Sequence, residues 1–337
     1  MQRTNFLVFF ILLASLFATA ASAQNYSNNS DPCSNGSNAD IYDRFIGVCE
    51  LQDTSQVIPF DSSTSPVGSI EFGIRSCGRG SGWFDWSCAT ATPYRVQVID
   101  SASSGTSFTL TNSVGTTVPV GFSFRRSGGS PIQLQPNQWS GGGYAFAGSV
   151  NQTSTYLELT VPSAPSLAPG VYSNTFEFTL EQQEHCGILF CSDATLSPIE
   201  FAVDLIIPDR IRISGLEDME IAANLTGLSQ GQQYFCVYSQ GAQPFGITAH
   251  SGTGSGTFLL AGIDTVEYET WIADSLGGSP EQLSEGIPSI LSWAGHLQDD
   301  CPGGENMLLD IRIQQSALMN IMDTSYTDTL TLTVTLD

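Results

Sequence analysis

The residue types that could carry catalysis are sparse in this chain and do not converge. Its three histidines, His185, His250 and His296, lie far apart and lack metal-ligand spacing. His250 follows a candidate strand and reads as a loop-edge side chain. Asp299-Asp300 beside Cys301 is either a cation ligand or a solvated loop, and the loop is the simpler expectation. Gly252-Thr253-Gly254-Ser255-Gly256 superficially matches nucleophile and phosphate loops. It lacks Gly two residues either side of Ser255 and has no Lys, so a hairpin turn explains it better. The remaining carboxylates are scattered, and sequence alone cannot pair them, which leaves a glycosidase open on that ground. The expectation is a protein with no catalytic residues, no metal and no cofactor.

Cysteines and aromatic rings are the more informative groups. The eight cysteines fit an oxidising compartment, and no two pairs have zinc-site spacing. Connectivity does not follow from sequence, but proximity favours Cys33–Cys49, Cys77–Cys88, Cys186–Cys191 and Cys236–Cys301. Trp83, Phe84 and Trp86 crowd a Gly-rich stretch between Cys77 and Cys88, with Arg79 and Asp85 as polar neighbours. Trp139, Tyr144 and Phe146 surround Ser-Gly-Gly-Gly. Ile188, Leu189 and Phe190 lie between Cys186 and Cys191. Rings in Gly-rich turns are poorly placed for a core. Either these loops fold back to plug one end of the fold, or they stand out as apolar fingers that bind a hydrophobic surface or stack on a glycan.

The elements that must position these groups are strands. Residues 1–23 read as a secretory signal: Arg3, an apolar run from Phe6 to Ala18, then Ala21-Ser22-Ala23. No later stretch is long and apolar enough for a membrane span. The net charge of −23 would repel nucleic acid and anionic lipid, so neither is an expected partner, and no membrane insertion is expected. Short alternating runs between turn residues predict an all-β protein. Gln24 to Asp40 is Asn- and Ser-rich, has almost no aliphatics and reads as a loose leader tethered at Cys33. Strands are predicted at 57–60, 69–74, 94–99, 107–111, 118–124, 155–161, 175–180 and 199–207. The chain changes character near Pro208-Asp209. Further strands are predicted at 210–214, 233–238, 245–249, 256–260, 266–273, 308–314 and 328–336, with a helical turn within 316–322. Residues 24–207 and 208–337 are the two expected domains.

The organising stretch is Ser325 to Asp337. Leu330, Leu332, Val334 and Leu336 alternate with threonines, which places four aliphatic side chains on one face. An echo lies at Pro169-Gly170-Val171-Tyr172-Ser173-Asn174-Thr175-Phe176-Glu177-Phe178-Thr179-Leu180. The first copy is followed by another apolar strand, Ile199 to Ile207, and the second by none, so the last strand is expected to pair with something outside the chain.

Phe235-Cys236-Val237-Tyr238, Phe245 to Ala249, Gly256 to Leu260, Val266 to Asp274, Asp300-Cys301-Pro302-Gly303-Gly304 and Ser325 to Thr329 resemble the spore coat U-like domains of archaic chaperone–usher pilus subunits. Gly170 to Thr175 resembles the same family within the first domain. The resemblance implies two immunoglobulin-like sandwiches, the C-terminal one lacking its last strand. A periplasmic chaperone, and then the N-terminal extension of the next subunit, would supply that strand at an outer-membrane usher. Gln24 to Asp40 has no alternating apolar residues to donate. The resemblance therefore implies an exported fimbrial tip adhesin at the cell surface that mediates attachment and biofilm formation. A structural or adaptor pilin and a secreted carbohydrate-binding module or hydrolase are the alternatives.

Overall fold

The computed structural model describes residues 24–27, 33, 44–51, 54–59, 67–79, 88–102, 105–161, 167–186, 191–275 and 277–337. The regular structure of these residues is almost entirely β-strand, as the alternating patterns predict. Among them the only helical pieces are two short 3-10 turns, Gln240–Ala242 and Gln315–Leu318. No helix among the described residues is long and apolar enough to cross a membrane. The expected secretory signal at 1–23 lies outside them.

Two separate hydrophobic cores form, one from Ile46 to Ile207 and one from Phe235 to Leu318. Around the first, strands run in the order Gln24–Ser27, Arg44–Leu51, Val67–Arg79, Ser149–Thr160, Thr117–Arg126, Phe108–Thr111, Gly170–Cys186, Ile199–Ile207 and Ser55–Pro59. All these pairs are antiparallel except the last. Thr117–Arg126 serves two layers: Thr117 to Val120 pair with Phe108–Thr111, and Gly121 to Arg126 pair with Ser149–Thr160. That shared strand folds the run of strands into a sandwich. Phenylalanines fill the space between the layers in edge-to-face pairs, Phe122 meeting Phe108, Phe176 and Phe201 at 4.9, 5.0 and 5.7 Å.

The second core lies between two sheets. One is ordered Ile211–Ser214, Ser229–Ser239, Met307–Ile313, Glu269–Asp274, Glu281–Leu283, and the other Trp293–Ala294, Pro244–Ser251, Leu330–Leu336. Cys236–Cys301 staples it. Cys33–Cys49 and Cys77–Cys88 are formed as proximity predicts, while the side chains of Cys186 and Cys191 lie outside the described residues.

The leader departs from expectation. Gln24–Ser27 is not loose but an edge strand, with Tyr26 opposite Val48 and half-buried against the first core. Asn25 holds it by accepting the Glu50 backbone N–H at 2.9 Å. Arg44–Leu51 went unpredicted because it does not alternate. Phe45 to Cys49 are all buried, the even positions in the main core and Phe45 in a smaller cluster with Cys77, so both faces are apolar.

The two cores meet at a tight joint. Gln240, buried at the end of the Ser229–Ser239 strand, donates to the Leu167 carbonyl at 3.0 Å. Gly241 follows with φ of +70°, and a Cβ there would lie 2.8 Å from the Ala168 Cα. Only glycine fits both the dihedral and the gap.

Candidate functional site

Two places combine chemistry with exposure, and the first is the edge made by Leu330–Leu336. This strand pairs on one side with Pro244–Ser251, register Phe245–Leu336, Ile247–Val334 and Ala249–Leu332. Phe245, Ile247 and Ala249 are fully buried, whereas Leu330, Leu332, Val334 and Leu336 on the same face are only half-buried. The step from covered to wet across one strand has a simple cause. Nothing among the described residues pairs with the outer side of Leu330–Leu336. The Ile211–Ser214 strand of the opposite sheet comes within 8 Å (Cα–Cα) but forms no ladder with it. Between them lies a groove banked by Ile211, Ile213, Met219 and Ile221 on one side and the alternating aliphatics on the other. The strand at Ile211–Ser214 falls within the predicted 210–214, but sequence reasoning did not place it as the bank facing the last strand.

The echo strand Gly170–Cys186 shows the covered version. Ile199–Ile207 lies beside it in full register, from Gly170–Ile207 to Phe178–Ile199, and Ser55–Pro59 covers the outer side. Its inward residues Ile199, Phe201, Val203, Leu205 and Ile207 are all buried. The likeness of the two stretches extends to their tyrosines. The Tyr172 hydroxyl donates to the Ala168 carbonyl at 2.9 Å, while the Tyr326 hydroxyl accepts from the Met322 and Asp323 N–H groups and donates to the Asp264 carboxylate. Each tyrosine ties the strand entrance to the preceding turn. Asp328 adds a second tie by accepting from Tyr268 at 2.6 Å and Ser251 at 2.7 Å. Burial, and then the bond to Asp328, push the Tyr268 hydroxyl well above its ordinary pKa and keep it a donor.

The second place is the pole of the first core farthest from the joint. Gly170–Cys186 begins beside the joint and runs 17 residues, roughly 50 Å at 3.3 Å per residue, toward that pole. There the buried Gln182 amide donates to Phe45 O, Ser76 Oγ and Cys77 O at 3.0–3.1 Å, which gathers three strands around one side chain. The residues bracketing two predicted loops therefore start from the same pole: Arg79 and Cys88 around 80–87, Cys186 and Cys191 around 187–190. Trp83, Phe84, Trp86, Ile188, Leu189 and Phe190 themselves lie outside the described residues.

The third predicted loop is described, and it is not a free finger. Phe146 is buried, edge-on to Phe124 at 4.8 Å and tilted against Tyr94 at 5.6 Å, so of the two readings this ring takes the plugging one and is not an exposed adhesive residue. Trp139 and Tyr144 are half-buried, with the Arg95 guanidinium 4.8 and 5.0 Å from their ring centroids. Glu181 binds Arg95 at 2.6 Å and accepts from the Tyr144 hydroxyl at 3.1 Å. Arg95 and Glu181 had no sequence signal beyond being outward residues of alternating strands. Register brings them face to face and builds a clamp on the Gly-rich loop. Elsewhere, His250 approaches Glu285 at 3.5 Å, and Asp299 and Asp300 face Arg212, a solvated loop as expected. No group of metal-ligating residues exists among the described residues.

A two-core β protein with one covered and one open strand edge is the class these features define. The chain is similar to a chain of the CsuC–CsuE chaperone–tip adhesion subunit pre-assembly complex from archaic chaperone–usher Csu pili of Acinetobacter baumannii: 14% identity, 83% of this chain and 97% of that chain, TM-score 0.40. It is similar to the CupB6 tip adhesin from Pseudomonas aeruginosa at 9% identity, 94% of each chain and TM-score 0.41. CfaE, the adhesive subunit of CFA/I fimbria of enterotoxigenic Escherichia coli, overlaps at 11% identity, 85% of this chain and 97% of that one, TM-score 0.30. No protein-family model and no curated protein matches the sequence. At these scores the overlaps are loose, and function has to come from the chain's own residues.

Proposed function

We propose that the chain is a fimbrial tip adhesin that mediates attachment and biofilm formation. Residues 24–207 form its adhesin domain, and residues 208–337 form a pilin domain completed by a strand from another polypeptide. The observation that carries this proposal is the open edge at Leu330–Leu336, whose aliphatic face is half-wet where the first core's equivalent is sealed. A periplasmic chaperone and then the next pilin subunit fill that groove at an outer-membrane usher, and the protein travels through the periplasm to the tip of a surface fimbrium. The cis pairing of Gln24–Ser27 with Arg44–Leu51, pinned by Cys33–Cys49, supports a terminal place over an adaptor's, because that segment is engaged in its own sheet. The described strand ends that lead into the 80–87 and 187–190 loops are on the side of the first core away from the joint, which supports an outward-facing binding surface there.

Binding falls to Trp83, Phe84 and Trp86, with Ile188, Leu189 and Phe190 and the clamped pair Trp139 and Tyr144. The receptor is a hydrophobic surface or a glycan face, and the chain is not an enzyme. The test replaces Trp83, Phe84 and Trp86 together by Ala in the full chain. Attachment should be lost while secretion and pilus number stay unchanged. Unchanged attachment with normal pili would place binding elsewhere, and degradation of the variant would mean that the rings are core. Competition by detergent but not by free sugars marks a hydrophobic receptor.

A further inference from the structure

The outer face of the larger sheet of the second core carries aromatic rings where a wet face is ordinarily polar. Alternation along Ser229–Ser239 turns Phe235 and Val237 into the core and Gln230, Gln232 and Tyr234 outward, and Tyr234 is 53% exposed. Register sets Leu308 beside Tyr234 and Ala273 beyond it, with Trp271 two residues along from Ala273 on the same face. Strand and residue spacings put the Tyr234 and Trp271 Cα atoms roughly 12 Å apart. Tyr234 divides a groove in two. The wider basin, about 730 Å³, is bordered by Ser275, Trp293 and Glu305. The narrower one, about 200 Å³, is bordered by Gln232, Trp271 and Leu308.

Trp271 is held in place by its neighbours. Its indole N–H donates to Glu269 at 3.0 Å, and the Arg312 guanidinium lies 4.6 Å from its ring centroid. Arg312 binds Asp310 at 2.6 Å, and Asp310 accepts the Gln230 amide at 2.8 Å. The polar groups of the groove divide by whether the fold already uses them. Asn306 accepts the Val237 N–H and donates to the Val237 and Ala294 carbonyls, Ser292 is bonded to the Asp337 carboxylate, and Asp274 accepts the Gly278 N–H. The Tyr234 and Ser275 hydroxyls, the Gln232 amide and the Glu305 carboxylate have no side-chain hydrogen bond among the described residues.

Two hydroxyls and an amide both donate and accept, and Glu305 adds an acceptor. Beside an exposed ring, that mixture suits a pyranose, which packs a C–H face on an aromatic ring and rims it with hydroxyls that donate and accept. An anion would find only Arg312 in the lining, already bound to Asp310, and would meet Glu305. A cation uses acceptors alone and leaves the donor hydrogens of Gln232 unmatched. The net charge of −23 disfavours an acidic sugar. We propose that this groove is a second binding site of the protein, for a neutral oligosaccharide, separate from the first-core loops to which attachment is assigned. One sugar ring packs on Tyr234, with Gln232 on one side and Ser275 and Glu305 on the other, and the saccharide extends toward Trp271.

The probes are lactose, maltose and cellobiose, with glucuronate and n-butylammonium as charged controls. They are titrated into the full oxidised chain and followed by amide NMR at Ser275, Gly304 and Leu308. Saturable shifts at these amides are expected with at least one disaccharide and with neither control. Tyr234→Ala, which removes the stacking ring, should weaken binding about tenfold. Gln232→Ala removes one exposed hydrogen-bonding group and should weaken it about fivefold, which keeps the test alive if Tyr234→Ala disturbs the sheet. The variant with Trp83, Phe84 and Trp86 replaced by Ala should keep the shifts unchanged, so the groove and the attachment loops fail independently. The proposal is overturned if no disaccharide gives saturable shifts, or if they appear only in the first core. Binding of n-butylammonium as tight as that of the sugars, or affinity indifferent to both Tyr234→Ala and Gln232→Ala, would overturn it as well.

Discussion

Leu205 and Leu332 occupy comparable places, each an inward leucine on the strand beside an echo stretch or within one. Leu205 is fully buried, opposite Tyr172 on one side and Ile58 on the other, both nearly inaccessible to solvent. Leu332 has the fully buried Ala249 on one side and no paired strand on the other. Replacing a sealed leucine by alanine forfeits its transfer energy and leaves a cavity, about 2–5 kcal/mol. A half-wet leucine loses about half of the transfer energy and little cavity energy, because water already reaches it, so roughly 1 kcal/mol is expected. With a urea slope of about 2 kcal/mol/M, Leu205→Ala should lower the midpoint of the first core by about 1–2.5 M, and Leu332→Ala that of the second by about 0.5 M. Urea titration of the oxidised chain, read by NMR signals from each core, measures both. Equal shifts would refute the claim that the second sheet is open where the first is closed.

Other perturbations test the scaffold around the two sites. Gln182→Ala should cost the first core roughly 2–4 kcal/mol, since it strips buried partners from Phe45 O, Cys77 O and Ser76 at once; urea unfolding would show this, and a loss below 1 kcal/mol would make the bridge ornamental. Replacing Cys236 and Cys301 by Ala releases a cross-link between residues 65 apart, and the chain-entropy model predicts about 4 kcal/mol lost from the second core alone. The Tyr268 hydroxyl, held protonated by burial and Asp328, implies that the unfolded chain ionises first as pH rises. Stability contributed by this group is therefore complete below about pH 10, the ordinary tyrosine value, and declines above it, and Tyr268→Phe should remove that part of the alkaline decline in urea midpoints.

Strands with one wet face were legible in the sequence because alternation is what half-burial leaves behind. Tyr94–Ile99 and Ile199–Ile207 appear at the predicted residues. Arg44–Leu51, apolar on both faces, and Gln24–Ser27, held by Asn25 and one tyrosine, carry no such period. Val266 to Ala273, predicted as one strand, is interrupted at Tyr268, whose ring turns inward against Phe258 while its hydroxyl reaches Asp328. The alternation of Leu330–Leu336 was visible, but that its outer side is open and which bank faces it depend on which sheet Ile211 joins, a long-range fact. Gly-rich loops gave no means of telling Phe146, which plugs the core, from Trp139 and Tyr144, which ride on Arg95. That distinction comes from register between Tyr94–Ile99 and Gly170–Cys186.

The open groove is tested most directly by amide hydrogen exchange along Leu330–Leu336 in the full oxidised chain, alone and with an added peptide of alternating aliphatic residues. Alone, the amides that point away from Pro244–Ser251 should exchange within an order of magnitude of unstructured backbone, while those bonded to that strand are protected. With the peptide, the outward amides should slow by at least a hundredfold, and a peptide with its aliphatics replaced by serine should leave them fast. Outward amides already as protected as those of Ile199–Ile207 in the free chain, or unmoved by a saturating peptide, would contradict the account.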